Sequence, residues 1–449
     1  MFSSFFDPTP FGQIAQGVAT LVLLATLHRR RQRHRSNARS NTTLPSYISE
    51  GNAHVVFHYD SHHVLRVPKT FRPRTTASLA QRITQHLWSQ LLGEQYVLVP
   101  QPHVLRSPAL GALNAVLVAL EKQHKRPPQR LGQFLQGDAL NSTTGELLLN
   151  ALCLPPFWEH PWPEQAPPPP PPLLPPPCWS IEIKPKAGCL PSAPHILANS
   201  PKHRYSRYHM HQHYKVKQHA IQEISLYSPL DFFAKDVNRV KKALGHLWDH
   251  PQNNFKLFRN GQRQSIVPGH NKKGMLLQVT AAVLMQEHQV RSNVLGVQQR
   301  DVLDFEKEYW ASWLKRNGGT GVEAATPKGI YRCHMDGKTM NDVQNFVLAR
   351  TAMDCSLVLS FSPLDHSDGV GKRAVVGRTQ TKERCGVVHV KDEETNEGLW
   401  YQYRVVVVDL DLKPMGKLKK WVELDERIVA HFYKTEHGCR ECRGVRKDL

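Results

Sequence analysis

Val405-Val-Val-Val408-Asp409-Leu-Asp411-Leu-Lys413-Pro414 is the stretch on which the predicted fold and site both depend. Four consecutive valines are typical of a buried strand, and the pattern extends from Leu399 to Leu412. Two aspartates follow the valines with one residue between them. Carboxylates at the end of a buried strand are held rigidly, and Mg²⁺ commonly binds one or two of them. The pattern therefore predicts either a magnesium site at Asp409 and Asp411 or an ordinary strand-to-turn boundary.

A second charged element is Glu182-Ile-Lys184-Pro-Lys186. Alternate residues of a strand share a face, so Glu182, Lys184 and Lys186 would point the same way if the strand continued. Pro185 lacks a donor for the sheet and predicts an edge or the end of the strand. Two lysines beside one glutamate suit an anionic ligand, although composition alone favours a solvated strand end with a surface ion pair.

A third element lies in the histidine-rich helical pattern of residues 205–223. Arg207, His211 and Lys215 are spaced four residues apart, so they fall on one face of the helix. Such a cationic stripe can contact phosphate groups, or it can be an ordinary solvated face.

The remaining patterns mix strands and helices without a regular β-α-β alternation, which predicts the α+β class. Residues 110–120 fit a strand or a helix equally well. The clearest predictions are a hairpin from strands within 51–59 and 64–67, a helix over 77–92 that Gly93 ends, a strand at Tyr96–Val99 and a buried strand at Cys355–Phe361.

The charge of the chain indicates an anionic partner. The formal net charge is +20 over 449 residues, and residues 1–45, with six arginines and one acid, contribute only +5 of it. A nucleic-acid binder and a polyphosphate enzyme both predict this excess. The chain has no convincing run of interleaved basic and aromatic residues, the pattern that single-stranded nucleic acid requires. Eight cysteines, most of them isolated, are typical of a reduced cytosolic or nuclear protein.

Two segments stand apart from the folded patterns. Residues 8–27 carry no charge and precede the arginine cluster, which fits a membrane anchor, a transit peptide or a disordered extension. Thirteen prolines fall between Pro155 and Pro177. This segment cannot join a helix or sheet, and it is expected to be a stiff linker or surface insertion.

Walker A, G-x-G-x-x-G and H-R-D-x-x-x-x-N motifs are missing. Six other blocks occur in order: Glu182-Ile-Lys-Pro-Lys186, Arg207…Met210-His-Gln…Lys215, Tyr227-Ser-Pro-Leu-Asp231, Pro251-Gln-Asn-Asn254, Asp354-Cys-Ser356 and Asp409-Leu-Asp-Leu-Lys413-Pro414. Together they resemble the inositol-pentakisphosphate 2-kinase family, and the first block is specific to it.

The resemblance implies a two-lobed kinase-like α+β fold with ATP and Mg²⁺ as cofactors. Its activity would be transfer of the ATP γ-phosphate to the 2-hydroxyl of inositol pentakisphosphate, giving inositol hexakisphosphate. A monomer without nucleic acid, located in the cytoplasm or nucleus, is expected, with weak membrane contact through the N-terminal extension. The expected divisions are an extension (1–45), an N-lobe (46–154), a proline-rich linker (155–178), a C-lobe with the inositol phosphate site (179–435) and a tail (436–449).

The resemblance also implies roles for individual residues. Lys184 would meet the transferring phosphate, Asp354 would accept or orient the hydroxyl, and Asp409, with Asp411, would hold Mg²⁺. The expected ATP contacts are Gly51, Asn52, Arg66 and Lys184. The expected contacts to the other phosphates are Arg130, Lys186, Arg207, Lys215, Asn253, Asn254, Lys413 and Lys417.

Several positions depart from the family pattern. Lys256 and Lys417 stand where arginine is expected, and lysine lacks the two-pronged geometry of a guanidinium. Trp421 replaces a tyrosine, and Met353 stands where lysine is common. Two alternatives therefore stay open: a basic nucleic-acid-binding protein with a degenerate kinase-like body, and an inositol phosphate kinase with another acceptor position.

Overall fold

A computed structural model describes most of the chain beyond residue 45. The described residues are 46–51, 53–60, 63–137, 142–149, 151, 177–266, 272–305, 307–316, 323–364, 385–391 and 398–438. The predictions for Asn52, the N-terminal extension, nearly all of the proline-rich segment and the tail from residue 439 therefore lie outside the described residues.

Strands and helices are mixed along the chain, in agreement with the predicted α+β class. The strands are β1 (Tyr47–Glu50), β2 (His54–His58), β3 (His63–Pro68), β4 (Gln101–Leu105), β5 (Thr143–Leu149), β6 (Trp179–Ile183), β7 (Phe255–Arg259), β8 (Gln262–Gln264), β9 (Ser356–Pro363), β10 (Gly386–Lys391) and β11 (Gly398–Val408). The α-helices are α1 (Arg74–Arg82), α2 (Ser89–Leu92), α3 (Ser107–Lys122), α4 (Arg207–Lys217), α5 (Pro229–Phe232), α6 (Val237–Asp249), α7 (Lys273–Gln286), α8 (His288–Gln298), α9 (Lys307–Arg316), α10 (Pro327–Met335), α11 (Asp342–Ala352) and α12 (Leu418–Gly438).

The smaller sheet is antiparallel and has the strand order β1-β2-β3-β5-β4. The predicted hairpin is confirmed, since His54 on β2 pairs with Pro68 on β3. Val55 and Phe57 alternate with partly exposed residues, so one face of the sheet is buried. The ambiguous residues 110–120 are helical. Helix α3 covers the sheet with Leu113 and Leu117, which are almost fully buried.

The larger sheet is also antiparallel, with the order β10-β11-β9-β6-β7-β8. Its central strand β9 is buried almost throughout, which confirms the prediction for Cys355–Phe361. Strand β11 stops at Val408, four residues before the predicted end at Leu412. Asp409 adopts a φ of 62°, and this left-handed conformation cannot continue a strand.

The register of the larger sheet brings distant strand ends to one edge. Val408 pairs with Ser356, and Ile183 pairs with both Leu357 and Phe255. In an antiparallel sheet, the end of one strand lies beside the beginning of its neighbour. The residues that follow β6 and β11 therefore lie next to those that precede β9 and β7.

A long helical segment lies between β3 and β4 in the chain, and its Leu87 and Trp88 belong to the hydrophobic core that contains Ile181 of β6. The helix predicted over 77–92 is confirmed, although Ile83–Trp88 forms a π-helical turn between α1 and α2. Gly93, with a φ of 99°, ends it as predicted. The strand predicted at Tyr96–Val99 is wrong. A 3₁₀ turn ends at Tyr96, and the pairing that follows is a single bridge from Val97 to Val407.

Within the described residues, no helix is both long enough and apolar enough to cross a membrane.

Candidate active site

Three acid–base contacts lie at the edge where β6, β9 and β11 meet. Lys184 Nζ donates to Asp409 Oδ2 over 2.8 Å. Lys186 Nζ donates to Asp354 Oδ1 over 3.0 Å, and Lys413 Nζ donates to the other oxygen of the same carboxylate. The aspartates are about half exposed, whereas the three lysines are mostly buried. The charged groups at this edge are therefore accessible to a ligand, and each of them is paired with an opposite charge of the protein.

The backbone at this edge is strained. Lys186 and Asp409 have φ values of 63° and 62°, which non-glycine residues rarely adopt. Such a conformation costs on the order of 1–3 kcal/mol and persists only when the surrounding structure fixes it. Tyr227 donates to the carbonyl of Pro185 over 2.8 Å, and Gln298 donates to the carbonyl of Lys186 over 2.9 Å. These bonds hold the strand end away from the sheet, so Glu182, Lys184 and Lys186 do not continue one β face.

The charges shift one another's pKa values. Burial alone would raise the pKa of Asp354, but Lys186 and Lys413 lower it well below its usual range. The pKa of Asp409 is also lowered, because the effect of Lys184 outweighs that of burial. Burial lowers the pKa of Lys186, and Asp354 offsets this only in part. Both carboxylates are therefore ionised at neutral pH.

Arg66 connects the smaller sheet to this edge. It lies on β3, donates to Glu146 over 2.8 Å and forms an ion pair with Asp411 beyond the end of β11. His54 on β2 contacts the same guanidinium at 3.1 Å. Burial, followed by the charge of Arg66, lowers the pKa of His54 to about 4, so this imidazole is neutral at pH 7. Arg66, which is predicted to contact the nucleotide, is thus in direct contact with Asp411, which is predicted to bind the metal ion.

The donor set fits a hard divalent cation. Asp409 uses only Oδ2 and Asp411 uses only Oδ2 in the contacts above, which leaves one oxygen on each without a partner among the described residues. Both carboxylates act electrostatically on Arg66. The described residues contain no group of three metal-ligating side chains. Two carboxylates are enough for Mg²⁺ when phosphates complete its coordination.

Helix α4 supplies further cations. The predicted helix over 205–223 is confirmed in its central part, Arg207–Lys217. His211 and Lys215 both lie close enough to Lys186 for its charge to lower their pKa values, after the larger effect of burial. The pKa of His211 falls to about 3, so it is neutral. Of the predicted cationic face, Lys215 therefore lies near the acid–base cluster as a cation and His211 as a neutral group.

Arg207, at the start of α4, is held by a different set of groups. It donates to Asp425 over 2.6 Å and lies over the ring of Phe305. It lines a cavity of about 250 Å³ next to Met353. Around this cavity, three acids pair with Lys202, Arg207 and Arg350; the acids are Asp301, Asp304 and Asp425. Sequence patterns did not reveal this network, because its members are scattered over the chain and form no local motif.

The two asparagines of the Pro251 block have different surroundings. Asn253 is exposed. Asn254 is almost completely buried; its amide donates to Tyr208 over 3.2 Å, and its carbonyl accepts from the backbone of Lys184 over 2.8 Å. Its side-chain oxygen has no hydrogen-bond partner among the described residues. Asn254 therefore supports the position of Lys184.

The other predicted contacts lie outside the acid–base cluster. Gly51 lies in the turn between β1 and β2, where a Cβ atom would meet no atom of the described residues within 4 Å. Packing therefore does not require a glycine there. Arg130 lies in a 3₁₀ turn near Tyr47, and Lys417 is exposed in another. In the described part of the chain, neither cation pairs with an acid.

Lys256, which departs from the family pattern, and Ser356, which belongs to the matching Asp354 block, both contact Glu182. Lys256 donates to both oxygens of Glu182 over 2.8 Å, so its charge is already balanced. Ser356 lies between Glu182 and Asp409, at 3.2 and 3.3 Å from their oxygens. Glu182 and Ser356 belong to blocks found by sequence, but their contact is visible only in three dimensions.

Comparison with known proteins gives a consistent result. A family model described as inositol-pentakisphosphate 2-kinase matches residues 47–427. Proteins of that name are similar to this chain: one from rice is 30% identical over 58% of the chain, and one from Danio rerio is 31% identical over 48%. One from Cryptococcus neoformans is 24% identical over 88% of the chain and 96% of its own length. The match spans 61% of the rice protein and 43% of the Danio rerio protein.

Proposed function

Because the chain belongs to the inositol-pentakisphosphate 2-kinase family, we propose that it transfers the γ-phosphate of ATP to the 2-hydroxyl of inositol 1,3,4,5,6-pentakisphosphate. The products are inositol hexakisphosphate and ADP. The observation that carries the proposal is the cluster in which Lys184 contacts Asp409 while Lys186 and Lys413 share Asp354. This edge of the sheet thus offers lysines that can bind phosphates. It also offers carboxylates that can bind a metal ion and a hydroxyl group.

Lys184 is the residue proposed to contact the transferring phosphate. Its position between the acceptor-side acid Asp354 and the metal-side acid Asp409 supports this role, because both acids act on its charge. The transferred phosphoryl group carries negative charge on its equatorial oxygens, and a fixed cation stabilises it. In the absence of substrate, Asp409 holds this cation in place.

Asp354 is proposed to orient the acceptor hydroxyl. Two lysines keep its pKa well below the usual range, so it is a weak base. Phosphoryl transfer with a loose transition state needs alignment of the attacking oxygen more than early removal of its proton. The acceptor oxygen forms a bond to the γ-phosphorus, the bond to the bridging oxygen of ADP breaks, and the hydroxyl proton passes late to the Asp354 carboxylate and from there to water.

The remaining phosphates of the inositol ring are proposed to bind the cations around Asp354. Lys186 and Lys413 lie on the two sides of this carboxylate, and Lys215 approaches Lys186 from α4, next to the neutral imidazole of His211. A substrate with five phosphates can replace the carboxylate as their partner. Charge-assisted bonds of this kind are among the stronger hydrogen bonds in proteins.

The nucleotide is proposed to bind between the two sheets, in a two-lobed kinase-like arrangement. The open space at Gly51 permits a close backbone approach, and Arg66 supplies a cation. Asp409 and Asp411 would hold Mg²⁺, which neutralises charge on the β- and γ-phosphates when bound. The contact between Arg66 and Asp411 would then be replaced by contacts to the phosphates and the metal ion.

The test uses the full-length protein with Mg-ATP and inositol pentakisphosphate lacking only the 2-phosphate, with products separated by ion exchange. Formation of hexakisphosphate is the expected result. Pentakisphosphates lacking a different phosphate serve as controls, and conversion of one of these instead would assign another acceptor position. Absence of turnover together with tight RNA binding would contradict the proposal and favour the nucleic-acid alternative.

We further propose that the protein works as a monomer in the cytoplasm or nucleus and that residues 1–45 contribute at most weak membrane contact. The arginine cluster after the apolar stretch supports this proposal. Fluorescent fusions with and without residues 1–45 test the location. Release of the full-length fusion from membranes by high salt is expected, and resistance to salt would indicate a true anchor.

A further inference from the structure

Four side chains on adjacent strands form a row across the edge of the larger sheet. Lys256 on β7 donates to Glu182 on β6, and Ser356 at the start of β9 reaches both Glu182 and Asp409. The strand register explains the row, since Glu182 pairs with Lys256 and Ser356 pairs with Val408. Ser356 is completely buried, so water does not compete for its hydroxyl.

The hydroxyl of Ser356 cannot satisfy both carboxylates at once. It carries one hydrogen, whereas Glu182 Oε1 and Asp409 Oδ2 are both acceptors, at 3.2 and 3.3 Å. Each carboxylate has another donor: Lys256 contacts both oxygens of Glu182, and Lys184 contacts the Asp409 oxygen that Ser356 also faces. Either orientation of the hydroxyl therefore leaves both acids with at least one partner.

The hydrogen bonding of Asp409 changes when Lys184 contacts a phosphate instead. Asp409 Oδ2 then loses its cation, while Glu182 keeps both contacts to Lys256. The left-handed backbone of Asp409 persists only where surrounding contacts fix it, and the contact to Lys184 is one that would then be lost. Ser356 is the donor already within reach.

We propose that Ser356 is a positioning residue for Asp409, and that its hydroxyl rotates from Glu182 to Asp409 when Lys184 contacts the transferring phosphate. This inference rests on the proposed kinase function. No covalent bond changes; a single O–H group exchanges one acceptor for another. Glu182 can lose its hydrogen bond from the Ser356 hydroxyl, because Lys256 still balances its charge.

The experiment compares Ser356→Thr with Ser356→Val in the full-length protein. The two side chains have nearly the same shape and differ in the hydroxyl, so packing effects cancel. The threonine variant should exceed the valine variant in kcat by about 10-fold to 100-fold, the range expected for one hydrogen bond to a charged group. The KM for inositol pentakisphosphate should be similar in both, whereas the valine variant should need more Mg²⁺ for half-maximal rate.

Ser180→Val is the matched control. Ser180 is a buried serine on β6 that bonds Ser360 on β9 over 2.8 Å, on the same pair of strands as Glu182 and Ser356. This change should lower the melting temperature without lowering turnover per folded molecule. Ser356→Ala, which adds no volume, replaces the valine variant if that variant does not fold.

The outcomes separate the two proposals. An active wild-type protein whose threonine and valine variants have equal kcat and equal Mg²⁺ dependence overturns the role of Ser356 alone. A wild-type protein that forms no hexakisphosphate overturns the kinase function and this inference with it.

Discussion

Lys184 Nζ lies 2.8 Å from Asp409 Oδ2, although 225 positions separate the two residues in the chain. Their strands, β6 and β11, are not neighbours, because β9 lies between them. Both side chains leave the sheet at the same edge and meet above the start of β9. The contact joins the phosphate-binding element to the metal-binding element of the proposed site.

Asp409→Asn should reduce turnover by about a thousandfold, an effect comparable to removing a main electrostatic group of an active site. The amide cannot balance Lys184 and is a poor ligand for Mg²⁺. The measurement is kcat with Mg-ATP, with circular dichroism to monitor folding. Asp249→Asn, which breaks a partly exposed ion pair with Lys273 elsewhere, is the control and should stay active. An active Asp409→Asn enzyme would remove the metal assignment.

Lys184→Met and Lys413→Met should affect different kinetic constants. Lys184 is proposed to act on the transferring phosphate, so its loss should lower kcat by about a hundredfold or more. Lys413 is proposed to bind a phosphate that does not react, so its loss should mainly raise the KM for inositol pentakisphosphate. Steady-state kinetics separate the effects. Similar changes in both constants for both variants would argue against these assignments.

Asp354 should make stability depend on pH in the acidic range. Its pKa in the folded protein lies below the unfolded value of about 3.9, because of Lys186 and Lys413. Its contribution is therefore fully present above that value and is lost as the pH falls through the folded pKa. The melting temperature of wild type should exceed that of Asp354→Asn at pH 6 and approach it below about pH 3.5. A constant difference across this range would contradict the pairing.

His54 should make the protein less stable in mild acid. Its pKa is lowered to about 4 by burial and Arg66, compared with about 6.5 in the unfolded chain. The neutral form stabilises the fold above about pH 6.5, and this contribution is lost progressively as the pH falls towards 4. His54→Gln, whose side chain stays neutral, should show a smaller fall in melting temperature over this interval. The exposed His288 gives a control, since His288→Gln should leave the wild-type pH dependence intact.

Much of the local structure could be predicted from the sequence. Alternating and uninterrupted apolar patterns identified the β2–β3 hairpin and the buried strands β9 and β11, and Gly93 marked the end of the helix before it. The strand prediction at Tyr96–Val99 failed because the 3₁₀ turn ending at Tyr96 turns the chain and leaves a single bridge at Val97. Four apolar or aromatic residues in a row do not distinguish a strand from a buried turn.

The sequence by itself determined the family and the α+β class, and it predicted which lysines and aspartates form the proposed site, because short motifs and hydrophobic periodicity are local properties of the chain. Only the tertiary structure decided that Lys184, Asp354 and Asp409 share one edge, that Arg66 reaches Asp411, and that Ser356 lies between two carboxylates. The reason is physical. The strand order β11-β9-β6-β7 results from pairing between segments far apart in the chain, and no local pattern encodes which strand lies beside which.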